Sequence, residues 1–470
     1  MVSFFIICYL LTTLGIGFWA SRKIKTSDDF ALAGKSLSTS LVGVTLFATW
    51  FGSSQIMGNP GYFIVDGFSS YITLTLTGGI CLFIVGMFYA RKLYRMQIVT
   101  INDFFRVRYS KNLETASSLI MVFSYPHWIA AQFVALAYLF HAVMDIPFSY
   151  GILLGASIVV FYTYIGGMWA VAYTDMVQSV MILLGLFILL FEVLHKTEGI
   201  TPIFANQPSA FFDLCPQKDL DAWSEYIALT LAFTAGAIPV QEIYQRVFSA
   251  KNEKAARNGL YLGALLMVII PSIPLIIGLG GVYLYPELST SGNSQDIIPS
   301  LVKLMTSIPV QILFYGAMIS AILSTSSGAM LAPATVIAEN LIKPYKKNIA
   351  DKKLLLYTRL SVILVAAISC YFAFDDSDIV GLVAASLSLI LVCLFAPLTF
   401  GLFWKKASTI GAWAAIIIGG LTWLFCFIYE TRIDATIYGT ISSCVSMVVV
   451  SLLYPDQTKS PKQKTNQEPI

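Results

Sequence analysis

The feature that most restricts this chain is a series of apolar runs, each close to the roughly 20 residues an α-helix needs to cross about 30 Å of hydrocarbon. They fall at 2–20, 39–65, 69–90, 116–143, 150–165, 173–194, 223–247, 258–285, 308–338, 355–374, 378–400, 409–428 and 435–454, thirteen in all. In lipid every main-chain amide must find its partner within the protein, so these runs predict an all-α membrane protein with about 13 transmembrane helices. Composition agrees, with 12% charged residues where soluble folds carry about one quarter. The balance of 29 Lys+Arg against 26 Asp+Glu gives a net charge of only +3 and excludes a nucleic-acid partner.

An odd number of spans puts the termini on opposite sides, and the Lys/Arg distribution chooses the orientation. With the N-terminus outside and the C-terminus inside, 25 cations face the cytoplasm, Arg246 among them, and only Lys196, Lys218, Lys303 and Arg432 lie outside. The basic loops read as topology signals that touch the anionic surface of the lipid bilayer. Residues 2–20 are expected to be a retained helix, and the long outer loop from His195 to Asp221, with Pro202, Pro208 and Pro216, an ordered cap or lid. Six of seven cysteines sit in apolar runs, and no Asn-x-Ser/Thr sequon occurs, which points to a multi-pass protein of the bacterial inner (cell) membrane. Residues 1–454 read as a single transmembrane domain, and 455–470 as a cytoplasmic polar tail; the oligomeric state stays open.

Two spans are interrupted. The second carries Gly52-Ser53-Ser54-Gln55-Ile56-Met57-Gly58-Asn59-Pro60-Gly61, and the seventh Thr234-Ala235-Gly236-Ala237-Ile238-Pro239. Taking 39–194 and 223–400 as two units of five helices makes these the first helix of each, and an odd unit length inverts the second unit relative to the first. Paired broken helices in inverted halves point to a transporter whose site lies between the repeats. Residues 1–38 and the helices at 409–454 lie outside the repeats.

The ninth span carries Ser324-Thr325-Ser326-Ser327-Gly328. Such hydroxyls either bond the carbonyl one turn back or supply oxygens to a small hard cation, together with carbonyls freed at a helix break. Asp175 and Glu242 read as lying towards cytoplasmic span ends, and with no HExxH, Walker or GxSxG motif the chain is not expected to be an enzyme.

Ser27-Asp28-Asp29-Phe30-Ala31-Leu32-Ala33-Gly34-Lys35-Ser36-Leu37 and Tyr162-Thr163-Tyr164-Ile165-Gly166-Gly167-Met168-Trp169-Ala170 resemble two linked motifs of the sodium/solute symporter family. The resemblance implies a 5+5 inverted-repeat core with two discontinuous helices and sodium-driven uptake by alternating access. It puts the sodium site on the carbonyls of Ala48, Phe51 and Ala321 and the hydroxyls of Ser324 and Thr325. A second ion would fall on Asp175 and Ser327, although Gly328 stands where a further hydroxyl is expected.

Within the family, Ala48-Thr49-Trp50, Ala170 to Asp175 and Gln245-Arg246-Val247 are most similar to the choline-transporter branch, in which aromatic rings enclose a quaternary ammonium. Trp50 and Trp128 offer two indole faces, while Val240 departs from the Trp of that branch. Gln55, Tyr125, Gln132 and Tyr244 are the polar residues expected nearest the solute. The expectation is Na+-coupled symport of a small organic solute, choline or another quaternary amine or an amino acid such as proline. Sugars and monocarboxylates are the alternative substrates, and a sodium-independent facilitator or a transporter-like sensor the alternative functions.

Overall fold

A computed structural model describes residues 2–22, 26–217, 219–289, 294–346 and 349–456. The tail from 457 onward and the cations Lys23, Lys25, Lys218 and Lys347 lie outside the described residues. Among those described, the secondary structure is helical, with one isolated bridge between Leu37 and Ala250 and no β-strand.

The membrane core is built from α1 (Val2–Ser21), α2 (Thr39–Trp50), α3 (Ser54–Tyr94), α4 (Lys111–Met144), α5 (Phe148–Lys196) and α6 (Leu220–Ser249). It continues with α7 (Glu253–Leu284), α8 (Ile308–Tyr345), α9 (Asp351–Asp375), α10 (Ile379–Phe403), α11 (Thr409–Ile428) and α12 (Ala435–Leu453). Ten of these, α3 to α12, are long and apolar enough to cross a membrane; the apolar stretches Val2–Thr13 and Thr39–Trp50 are shorter. Side chains that cap helix starts include Ser110, which accepts from the Leu113 amide, Asn252 from Ala255, and Asp378 from Val380 and Gly381. Two glycines with positive φ divide the longest helices, Gly67 (φ 56°) in α3 and Gly167 (φ 49°) in α5, and both fall between the apolar runs of the sequence.

Helices α4 and α8 lie at the centre, and α11 and α12 at the rim, where Phe427 and Ile428 are more than 60% exposed. Large apolar side chains without protein cover fit hydrocarbon and would aggregate in water, so this rim is the lipid-facing surface of a multi-pass membrane protein.

The expected cap is ordered. Short helices Thr201–Ala205 and Ser209–Phe212 bring Phe204, Phe211 and Phe212 against Phe63 and Phe68 of α3, with ring centroids 5.2 to 6.3 Å apart. At Gly67 a Cβ would stand 2.1 Å from the Phe211 carbonyl oxygen, so the cap is seated on bare main chain. A Gly67→Ala variant is expected to lose about 2 kcal/mol or more, from left-handed strain and the backbone clash. Limited proteolysis is the check: cleavage within 201–217 should accelerate, and a wild-type digestion pattern would show that the cap does not depend on this contact.

The opposite face is tied by a polar knot. Asn340 near the end of α8 donates to Asp103 (3.0 Å) and Glu114 (2.7 Å), accepts from Thr100 (2.7 Å), and Arg106 pairs with both carboxylates. Gln241 of α6 accepts from the Ile101 amide at 2.8 Å.

Candidate functional site

The two expected interruptions form opposite walls of one cavity. Helix α2 stops at Phe51 (φ −86°, ψ 71°), and the chain re-enters helix at Ser54 through a π-helical turn, Ser54–Gly58, that leads into Asn59–Ser70. Helix α6 unwinds over Ala237–Val240 and restarts at Gln241, where Val240 is extended (φ −69°, ψ 135°). Pro239 enforces that pause, since it disfavours helix in the residue before it and has no N–H to give. The Ser53 amide left open at the first break is satisfied by Gln132 Oε1 of α4 at 3.0 Å.

A cavity opens between the breaks, bordered by Trp50, Gln55, Trp128, Gln132, Phe233 and Thr325. Trp50 and Trp128 meet edge to face, with centroids 6.4 Å apart at 77°, and Tyr125 stacks on Trp128 at 6.0 Å. Leu74, which is buried, borders both this cavity and an outer pocket under the cap, and so stands between the two. The Leu74 carbonyl accepts from Gln55 (3.3 Å) and Asn59 (3.2 Å) at that junction.

The four hydroxyls of α8 divide into two pairs. Ser326 and Ser327 bond back onto their own helix, to the carbonyls of Ile322 (2.5 Å) and Ser324 (3.0 Å). Ser324 and Thr325 instead reach other helices, Ser324 donating to Asp175 of α5 at 2.6 Å and Thr325 to the Ala48 carbonyl of α2 at 3.3 Å. A Cβ on Gly52 would stand 2.5 Å from Thr325 Oγ1, so the first break presses directly against the hydroxyl pair. Ala321 lies one turn before Ser324 and Phe51 one turn after Ala48; both are fully buried, as are Ser324, Ser327 and Ala48. Tyr244 and Val240 are fully buried outside the cavity wall, Tyr244 stacked on Phe248.

Three charged residues expected at the membrane edge are fully buried beside this site instead. Asp175, Glu242 and Arg246 each have 0% exposure. Arg246 was expected in a cytoplasmic loop, but α6 restarts at the break and carries it inward, where it donates to the Glu242 carbonyl (2.9 Å) and to Thr49 Oγ1 (2.5 Å). The missing hydroxyl at position 328 has a steric reason, since a Cβ there would lie 2.7 Å from Arg246 Nη2. Glu242 Oε2 accepts from the Tyr125 hydroxyl. Thr49, Asn59, Glu242 and Arg246 were missed as site residues; their signal was polarity next to the two breaks.

Two unwound helices that face a hydroxyl-bearing helix across a cavity define a secondary transporter, in which carbonyls and hydroxyls near the breaks are positioned to replace an ion's water. The profile of the sodium:solute symporter family matches residues 30–419, and the chain belongs to that family. The relatives it matches are transporters, not enzymes. Relatives include the high affinity choline transporter 1 of Homo sapiens, 26% identical over 88% of this chain and 74% of that protein. The osmoregulated proline transporter OpuE of Bacillus subtilis is 25% identical over 95% and 93%. Among solved structures, a Na+-coupled sialic acid symporter in a substrate-bound outward-open state superposes with a TM-score of 0.82 at 20% identity, covering 98% of this chain and 99% of that one. The likeness in structure establishes the shared fold.

Proposed function

We propose that the chain couples the inward flow of sodium to uptake of a small organic solute, either choline or another quaternary amine or an amino acid such as proline. The observation that carries this reading is the split of the α8 hydroxyls, in which Ser324 and Thr325 donate to other helices, at Asp175 and the Ala48 carbonyl, while Ser326 and Ser327 donate back to their own. With the carbonyls of Ala48, Phe51 and Ala321 they are our sodium ligands, and Gln55, Trp50, Trp128 and Gln132 our solute contacts, with Tyr125, Tyr244 and Val240 behind them. Thirteen spans in a 5+5 inverted core, with the N-terminus outside, would put the cap outside and the polar knot in the cytoplasm. The outer pocket that shares Leu74 with the cavity would then be an extracellular vestibule used in alternating access.

We assign one ion. A second would use Asp175 and Ser327, but the Arg246 guanidinium packed at Gly328 already brings a positive charge there. One charge moved through 100 mV supplies about 2.3 kcal/mol, and a tenfold sodium gradient adds about 1.4. Together these hold a neutral solute at a roughly several-hundred-fold gradient, ample for nutrient uptake.

The test is a thermal-shift screen of purified protein against amino acids, quaternary amines, sugars and carboxylates, each in sodium and in potassium. A ligand at 100 times its Kd stabilises by about 2.7 kcal/mol, so a true solute is expected to be visible in sodium and silent in potassium. Sodium titration at saturating solute should give a Hill coefficient near one, and a value near two would restore the second ion. A solute shift indifferent to the cation would overturn coupling and indicate a facilitator.

A further inference from the structure

Glu242 stands outside both the proposed sodium ligands and the cavity lining, yet Tyr125 connects it to the aromatic wall at Trp128. Its carboxylate accepts from the Tyr125 hydroxyl through Oε2, while Oε1 is buried without a hydrogen-bond partner. The Glu242 amide in turn donates to the Tyr125 oxygen at 3.3 Å. The Tyr125 hydroxyl thus gives its proton to the carboxylate and accepts from the amide of the same residue. The indole N–H of Trp50 is likewise buried without a hydrogen-bond partner. Arg246 gives its hydrogen bonds to the Glu242 main-chain carbonyl and to Thr49, and none to the carboxylate. Tyr125 backs Trp128 by stacking, and Trp128 and Trp50 line the cavity nearly at right angles.

We propose that Glu242 is a positioning residue that gives the cavity its charge preference. It holds Tyr125 in place and sets a carboxylate behind the Tyr125–Trp128 stack, which selects a solute bearing an ammonium or quaternary ammonium group. A negative charge behind stacked rings strengthens the attraction of the exposed ring face for a cation, and in a site shielded from water that effect is screened little. The solute touches rings and amides, and the carboxylate acts through them. Both solute classes of the symport reading carry such a group, choline as a fixed cation and proline within a zwitterion. The inference rests on that reading only for the location of the solute cavity.

The experiment compares binding of choline, its uncharged carbon analogue 3,3-dimethylbutan-1-ol, and proline to wild-type, Glu242→Gln and Glu242→Asp protein in nanodiscs, with calorimetry in saturating sodium. The wild type is expected to prefer a charged amine, choline or proline, over the uncharged analogue by about tenfold or more. In Glu242→Gln that preference should collapse towards unity while the affinity for the uncharged analogue stays, because Gln keeps the volume and loses the charge. Glu242→Asp should keep most of the preference. Which of choline and proline binds identifies the source of the ammonium group. A preference unchanged in Glu242→Gln, an equal loss for charged and uncharged ligands, or a wild type that does not discriminate would each overturn the assignment. Sodium-dependent stabilisation by any solute, read on the same samples, keeps the symport reading separate: it survives those outcomes, and its absence would sink that reading whatever Glu242 does.

Discussion

Replacing Arg246 with Met is expected to destabilise the protein by about 3 kcal/mol or more and to leave a core that holds together poorly without sodium. Two carboxyl groups and one guanidinium, all with 0% exposure, share this buried cluster, and losing Arg246 removes its positive charge. The same change leaves Thr49 and the Glu242 carbonyl without their donor. Burial of an uncompensated charge is among the most costly changes a core can suffer. Sodium is the natural substitute cation, so the melting midpoint of Arg246→Met should climb more steeply with sodium than that of wild type. The double variant Arg246→Met/Glu242→Gln removes a carboxyl group along with the guanidinium and should recover much of the loss. A single variant that melts like wild type with the same sodium response would show that the guanidinium does not balance this cluster.

The second large effect concerns the ion. Ser324→Ala is expected to raise the sodium concentration for half-maximal solute binding by about tenfold or more, since it removes one oxygen of the proposed set and releases Asp175 from its 2.6 Å partner. Ser326→Ala is the internal control. Its hydroxyl bonds only the carbonyl one turn back, so its loss should leave sodium activation within about twofold. Parallel sodium titrations of solute binding decide the matter. Equal behaviour of the two variants would reduce the hydroxyl run to helix packing and remove the observation on which the symport proposal rests.

These predictions draw on different layers of information. The apolar runs, the two interruptions and the concentration of hydroxyls on one span were legible in the chain because each is a local property. Hydropathy needs only a window of about 20 residues, and a Gly-Ser or Ala-Ile-Pro break writes itself into neighbouring dihedrals. Gly67 and Gly167 likewise fall where the sequence places loops, since only a residue without Cβ turns so sharply. The residues that border the cavity were partly legible for the same reason, as Trp50 and Gln55 flank a break.

Relations between distant segments were decided by tertiary structure alone. A run of four hydroxyls advances about 100° per residue around its helix, so at most half of them can face any one neighbour. Which two do so depends on helices up to 277 residues away in sequence. Arg246 and Glu242 show the same limit more sharply. At the end of an apolar run a charge reads as the beginning of a loop. Here the helix restarts after the break at Ala237–Val240 and turns back into the protein, so both charges enter the core. Their partners, Thr49 and Tyr125, lie 197 and 117 residues away. Local propensity determines that such helices form and where they break, while the packing of one broken helix against another determines which side chains meet at the breaks.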